Sequence, residues 1–174
     1  IRQMDDVPSA GELAGLGADI VSTTGPQRLL DGLFHVSGEI PRVTPFERGQ
    51  VGVASIDLTL GDEIRVILPG DEPIEIREET DYRDHTRVER LAAPFVLDPG
   101  VTIHGITRER IELPPDLCGF LEGRSRYARL GLMIHVTSAF VQPGVANRQV
   151  LEMSNVAAQP LRIHAGVRVC QLVL

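Results

Sequence analysis

The chain contains no lysine and no tryptophan, only two cysteines, and aromatic side chains make up just 4% of its 174 residues. Each absence closes a class of function. With no lysine, all 17 basic residues are arginines, and 24 acidic residues leave a formal net charge of −7. Sequence-independent nucleic-acid binding needs many phosphate-neutralising cations, so an acidic chain is set against it. The scarcity of aromatics removes the stacking platforms that single strands require. Cys118 and Cys170 supply neither a disulfide framework nor a four-cysteine zinc site. No apolar run reaches the roughly 18 residues of a membrane span, and Ile1–Asp6 lacks a signal-peptide pattern. A reducing, cytoplasmic setting with no membrane or nucleic-acid partner is therefore expected. The first residue is Ile rather than Met, which points to a trimmed chain.

What is present suits a single domain. Apolar residues amount to 43% and charged residues to 24%, enough for a core and a solvated surface. Ser9 followed by Glu12 matches a capping box, with Leu13 and Leu16 at helical spacing behind it. Gly25-Pro26 closes that region, and a second short helical pattern runs through Arg28–Leu33. From Val51 the period changes to two: Ile56, Leu58 and Leu60 alternate with Asp57 and Thr59, and Gly61-Asp62 reads as a turn. Further strands are expected at Glu63–Leu68, Ile74–Arg77, Thr102–Ile106, Cys118–Leu121, Leu132–Thr137, Gln149–Asn155, Leu161–His164 and Val167–Leu174. Gly and Pro punctuate them. The dense mixture of acids and arginines over 71–90 reads as a solvated loop or edge. The expectation is a mainly β domain over 1–174: an N-terminal helical and loop segment, 1–50, then a β core, 51–174, in a barrel, sandwich or jelly roll.

The chemistry concentrates between Ile111 and Asn155. Gly123-Arg124-Ser125-Arg126-Tyr127-Ala128-Arg129 places three arginines and a hydroxyl within six residues. A helical turn starting at Ser125 would aim free N–H groups with the arginine forks, making a local anion site suited to a di- or triphosphate. The same residues allow a solvated turn paired with Glu122 and nearby acids. Glu152 is the only acidic residue between 130 and 174. Alternation places it with Val150 and Ser154 on one strand face, opposite Leu151, Met153 and Asn155. Three situations are open to it: facing solvent, pairing with Arg148 or Arg162, or half-burial in a cleft, where a carboxylate can shuttle a proton. The five histidines show no metal spacing, and the zinc-deaminase pattern, H-x-E then P-C-x-x-C, is absent. No Walker A loop, G-x-G-x-x-G or G-x-S-x-G occurs.

These motifs resemble the dCTP deaminases of the trimeric dUTPase superfamily. Ser55–Gly61 is similar to an early strand of that family, and Ile111–Leu117 to the approach to its G-R-S-S-x-A-R-L-G-L motif, here Gly123–Leu132. His135–Gly144 resembles H-x-T-A-x-x-I-D-P-G, Val150-Leu151-Glu152 the V-L-E of the catalytic carboxylate, and Val169–Leu172 the closing I-x-Q-L strand. The resemblance implies a distorted jelly roll forming a homotrimer with nucleotide sites between subunits. It implies zinc-independent hydrolytic deamination of dCTP to dUTP and ammonia, Mg²⁺ accompanying the triphosphate, and feedback by dTTP. By carry-over Glu152 is the catalytic base and acid, and Arg124, Ser125, Arg126 and Arg129 bind phosphate. Ser138 takes the position whose backbone carbonyl helps place the water, and Gln142, Val150 and Gln171 fall at nucleotide-contact positions. Three residues depart from the pattern. Arg126 replaces the second motif serine, Gln142 the usual aspartate, and Val145 the aromatic after Pro-Gly. A neutral amide at 142 cannot act as a base, which favours deamination over the dUTPase or dUMP-forming activities of relatives. A non-catalytic, nucleotide-binding regulatory trimer is the alternative from another class. The chain stops at Leu174, where members of the family continue into a tail that closes over the nucleotide.

Overall fold

A computed structural model describes residues 27–29, 34–36, 42–52 and 55–174. The chain forms two compact units, Ile1–Ile40 and Pro41–Leu174. In the first, β1 (Gln27–Leu29) pairs antiparallel with β2 (Phe34–Val36). Part of the helical pattern read over Arg28–Leu33 is therefore a strand. Leu29 lies opposite Phe34. The Ser9–Leu16 helix lies outside the described residues.

The second unit is nearly all β. In chain order it contains β3 (Arg42–Thr44), β4 (Ser55–Ile67), β5 (Thr86–Arg90), β6 (Phe95–Leu97), β7 (Thr102–Glu112) and β8 (Gly119–Gly123). A one-turn helix α1 (Ser125–Ala128) is followed by β9 (Leu132–Met133), β10 (Phe140–Val141), β11 (Ala146–Asn155), β12 (Leu161–Ile163) and β13 (Arg168–Val173). Nine strands form one curled sheet in the order β10-β8-β13-β4-β7-β11-β9, with β3 added on β7 and β5 on β4. β12 and β6 pair separately. The core is aliphatic: Leu58, Leu60, Ile64, Ile103, Ile111, Leu151, Met153 and Leu172 are each no more than 1% exposed. None of the helices among the described residues is long and apolar enough to cross a membrane.

The period of two is clearest in β7. Its inward set is Ile103, Gly105, Thr107, Glu109 and Ile111, so strict alternation carries a carboxylate into the core. Glu109 is matched there: Gln50 Nε2 donates to Oε1 at 2.9 Å and the Thr59 N–H to Oε2 at 2.8 Å. Arg108 lies 3.7 Å from the same carboxylate. A buried charge is tolerated when such donors converge on it.

Three local expectations change. The Gly61-Asp62 turn is instead a register shift within one continuous strand β4, between Leu60 and Ile64 against β7. A Cβ on Gly61 would sit 3.0 Å from the Ile106 carbonyl oxygen and 2.6 Å from Arg148 Nη2, so the missing side chain lets neighbouring groups close in at the bulge. The segment Ile74–Arg77 is not a strand, and Ile76 is 85% exposed. The place beside β4 is taken by β5, an edge strand from the segment read as a solvated loop or edge. Charged residues on a sheet edge hide a strand from a hydrophobicity pattern.

Candidate active site

Glu152 sits midway along β11, half-buried, on the face away from the core residues Leu151 and Met153. Its Oε2 accepts the backbone N–H of Val136 at 2.9 Å. That bond explains why the expected strand Leu132–Thr137 stops after Met133. The chain over 134–139 is irregular, and the Val136 N–H goes to a carboxylate rather than a ladder. Of the situations open to Glu152, pairing with an arginine is not the one adopted. Arg148 turns instead to the Thr107 carbonyl, and the carboxylate faces a cavity of about 340 Å³ lined by Tyr82, His104, Val150 and Glu152.

His104 lies directly across from Glu152 on β7, and Arg65 directly across from His104 on β4. Burial pushes the His104 imidazole below its ordinary value; the Glu152 carboxylate opposes this and the Arg65 guanidinium adds to it. Tyr82 packs on His104 edge-on at 5.5 Å between ring centroids.

The arginine turn begins where β8 ends. Arg124 occupies the N-cap position of α1, so a helical turn does start at Ser125. Arg124 is not paired with Glu122: its Nη2 meets Asp57 Oδ2 at 3.2 Å, and Nη1 donates to the Arg168 carbonyl at 3.4 Å. Glu122 instead faces His135 at 3.9 Å. Gln171 joins the same cluster, with its Nε2 donating to Asp57 Oδ1 at 3.2 Å. Ser125, Arg126 and Arg129 are exposed, and among the described residues neither Arg126 nor Arg129 has an acidic partner. Gly131 closes the motif at φ +87°, and a Cβ there would stand 2.6 Å from that of Ala157. Only glycine combines that backbone with that approach.

The carried-over residues thus fall into two groups. Arg124 and Gln171 meet on Asp57. Glu152 and Val150 share the cavity wall. Ser138 and Gln142 are exposed on the loop and turn between the groups. No hydrogen bond or ion pair among the described residues joins Glu152 to the arginine turn. Asp57 was absent from the expected site. Its signal lies in the Ser55–Gly61 alternation, which turns Asp57 away from Ile56 and Leu58, but only the Gln171–Asp57 register between β13 and β4 gives it partners. Among the described residues no three His, Cys, Asp or Glu side chains converge as a metal site. The cationic turn suits phosphate, and an ion travelling with a triphosphate would be held through phosphate oxygens.

Fold and site define a β-sheet protein with a half-buried carboxylate, Glu152, lining a cavity and, separately, a turn carrying Arg124, Arg126 and Arg129. Residues 34–174 match the model of the dCTP deaminase-like family, and the chain belongs to that family. The dCTP deaminase of Halorubrum lacusprofundi is 41% identical over 128 residues, covering 71% of this chain and 63% of that one. The dUMP-forming dCTP deaminase of Methanobrevibacter smithii is 37% identical over 128 residues, covering 71% and 66%. The chain therefore spans slightly under two thirds of the length of these curated relatives. The 2'-deoxycytidine 5'-triphosphate deaminase structure from Agrobacterium tumefaciens shares the fold, with a TM-score of 0.60 and 22% identity over 76% of this chain and 42% of that one.

Proposed function

We propose that the chain deaminates dCTP hydrolytically, giving dUTP and ammonia. The observation that carries this reading is Glu152: a half-buried carboxylate, anchored through one oxygen by the Val136 N–H, that lines a cavity. The carboxylate takes a proton from water as the oxygen bonds to C4 of the cytosine ring, and returns that proton to N3. The C4–N bond then breaks, the amino group leaves as ammonia with the hydroxyl proton, and the C4 carbonyl forms. One group serving first as base and then as acid is economical in a half-buried site. Arg124, Ser125, Arg126 and Arg129 take the phosphates, and Gln171 and Val150 take the nucleoside. Ser138 offers its backbone carbonyl to the water, and Gln142 its amide to the sugar. Mg²⁺ accompanies the triphosphate and screens its charge.

A homotrimer with sites between subunits fits the separation of the two groups. Arg126 and Arg129, unpaired within the described residues, reach out from one copy, and the Glu152 cavity is supplied by the next. A cytoplasmic enzyme of deoxynucleotide supply, restrained by dTTP, completes the proposal. Kinship with a dUMP-forming enzyme keeps a second reading in view, in which the product is hydrolysed on to dUMP and pyrophosphate. The uncharged Gln142 speaks against it. Chromatography of a dCTP reaction with Mg²⁺ decides. dUTP and ammonia without pyrophosphate supports the proposal. dUMP with pyrophosphate replaces it with the bifunctional reading, and no product moves the chain to a nucleotide-binding regulator.

A further inference from the structure

Three adjacent strands bring Arg65, His104 and Glu152 into one row on one face of the sheet. The register pairs Arg65 with His104 between β4 and β7, and His104 with Glu152 between β7 and β11. Residues directly opposite on neighbouring strands have Cβ atoms about 5 Å apart, so the imidazole stands between a guanidinium and a carboxylate. The arginine is itself held in place: Nη1 donates to Thr86 Oγ1 at 3.3 Å, and the guanidinium lies 5.8 Å from the centre of the Tyr82 ring. His104 is held differently. Its Nδ1 is buried with no hydrogen-bond partner, and Tyr82 meets the ring edge-on. No hydrogen bond to Nδ1 locks the ring into one protonation state, so burial and the neighbouring charges decide it. The groups facing it are Arg65 and Glu63 from β4, Glu152 from β11, and Tyr82 and Arg83 from the turn ahead of β5.

We propose that His104 is a positioning residue for Glu152: neutral, it leaves the carboxylate available to water, and protonated, it ties that carboxylate up as an ion pair. Arg65 guards the neutral state from the other side of the row. The inference rests on Glu152 being the proton carrier. It adds a residue that takes no part in the family motifs quoted above, drawn from a strand 48 positions earlier in the chain. The active form is the neutral imidazole beside a free carboxylate, and it is lost when the imidazole gains a proton.

Two measurements on the intact protein test this. The first is the pH dependence of kcat for dCTP deamination in the wild type, His104→Leu and Arg65→Met. His104→Leu should move the acid limb to lower pH, raising the rate at pH 6 relative to pH 8 by about threefold or more. Arg65→Met should move it to higher pH. An unchanged limb in His104→Leu overturns the proposal. His104→Gln replaces that variant if the leucine protein does not fold. The second is NMR titration of the His104 ring, assigned by its loss in the leucine variant. Glu152→Gln should shift its titration down and Arg65→Met should shift it up. A ring indifferent to both overturns the coupling whatever the protein catalyses. A Glu152→Gln variant that still deaminates dCTP overturns the underlying reading instead, so the two failures are told apart.

Discussion

Asp57 holds Arg124 with one carboxylate oxygen and Gln171 with the other, each at 3.2 Å, and so ties the arginine turn to strands β4 and β13. Both arginine and carboxylate are largely shielded, with side-chain exposures of 25% and 13%. This pair aims Arg124 in a way that an exposed ion pair would not. Asp57→Asn should therefore weaken nucleotide binding, raising KM for dCTP about tenfold, equivalent to about 1.4 kcal/mol. Steady-state kinetics beside a thermal melt checks it. A lowered Tm with unchanged KM would make Asp57 purely structural.

Glu152→Gln retains an oxygen to accept the Val136 N–H and loses only the ability to carry a proton. Its kcat should fall by about 10²–10⁴-fold, with nucleotide affinity and Tm close to wild type. Isothermal titration with dCTP and an ammonia assay on the same preparation separate binding from chemistry.

The buried carboxylate of Glu109 predicts a large stability effect far from any chemistry. Glu109→Ala leaves the buried Thr59 N–H without its acceptor and removes one of the two acceptors of the Gln50 amide, which keeps the Asp57 carbonyl at 2.8 Å. An orphaned buried N–H costs about 1–3 kcal/mol, so urea denaturation should show a loss of at least about 1–3 kcal/mol. A loss below about 0.5 kcal/mol would mean that water or a rearranged Gln50 satisfies the Thr59 N–H.

The two cysteines should differ sharply towards a thiol reagent. Burial pushes the Cys170 thiol up to about 12, with Glu109 and Asp57 adding to the effect, whereas Cys118 is half-buried. Thiolate is the reactive form. Iodoacetamide at pH 8 should modify Cys118 in the native protein and reach Cys170 only after denaturation, as read by mass spectrometry. Equal labelling would contradict the packing around β13.

His104 also links stability to pH. Its value in the fold lies below the ordinary 6.5, so the unfolded chain binds its proton first as the pH falls. The stability it contributes is fully present above about pH 6.5 and is lost as the pH drops towards its folded value. Melting curves between pH 7.5 and 5 should show a weaker decline in His104→Gln than in the wild type. Identical curves would show that the ring titrates as it does in the unfolded chain.

Much of the β core was legible because burial on one face of a strand imposes a period of two. Thr102–Ile106, Gln149–Asn155 and Val167–Leu174 all lie within or across observed strands. The failures share a cause. β5 was not resolved as a strand within the segment read as a loop or edge, because its edge position lets charges face water, and β4 seemed to turn at Gly61 because a bulge and a turn use the same residue. Ile74–Arg77 had the pattern of a strand but no partner.

The order of motifs along the chain, from Ser55–Gly61 through the arginine turn to Val150-Leu151-Glu152 and Val169–Leu172, was enough to name the family and to single out Glu152. Those features are local, because spacing along one segment sets which side chains share a face. Sequence could not assign the partners. Asp57 acquires Arg124 and Gln171, and Glu152 acquires His104 and the Val136 N–H, only through strand register and a loop folded back onto the sheet. A one-residue change in register would turn every side chain of a strand to its other face. These pairings were therefore decided by tertiary structure, which selects the register that buries the aliphatic core.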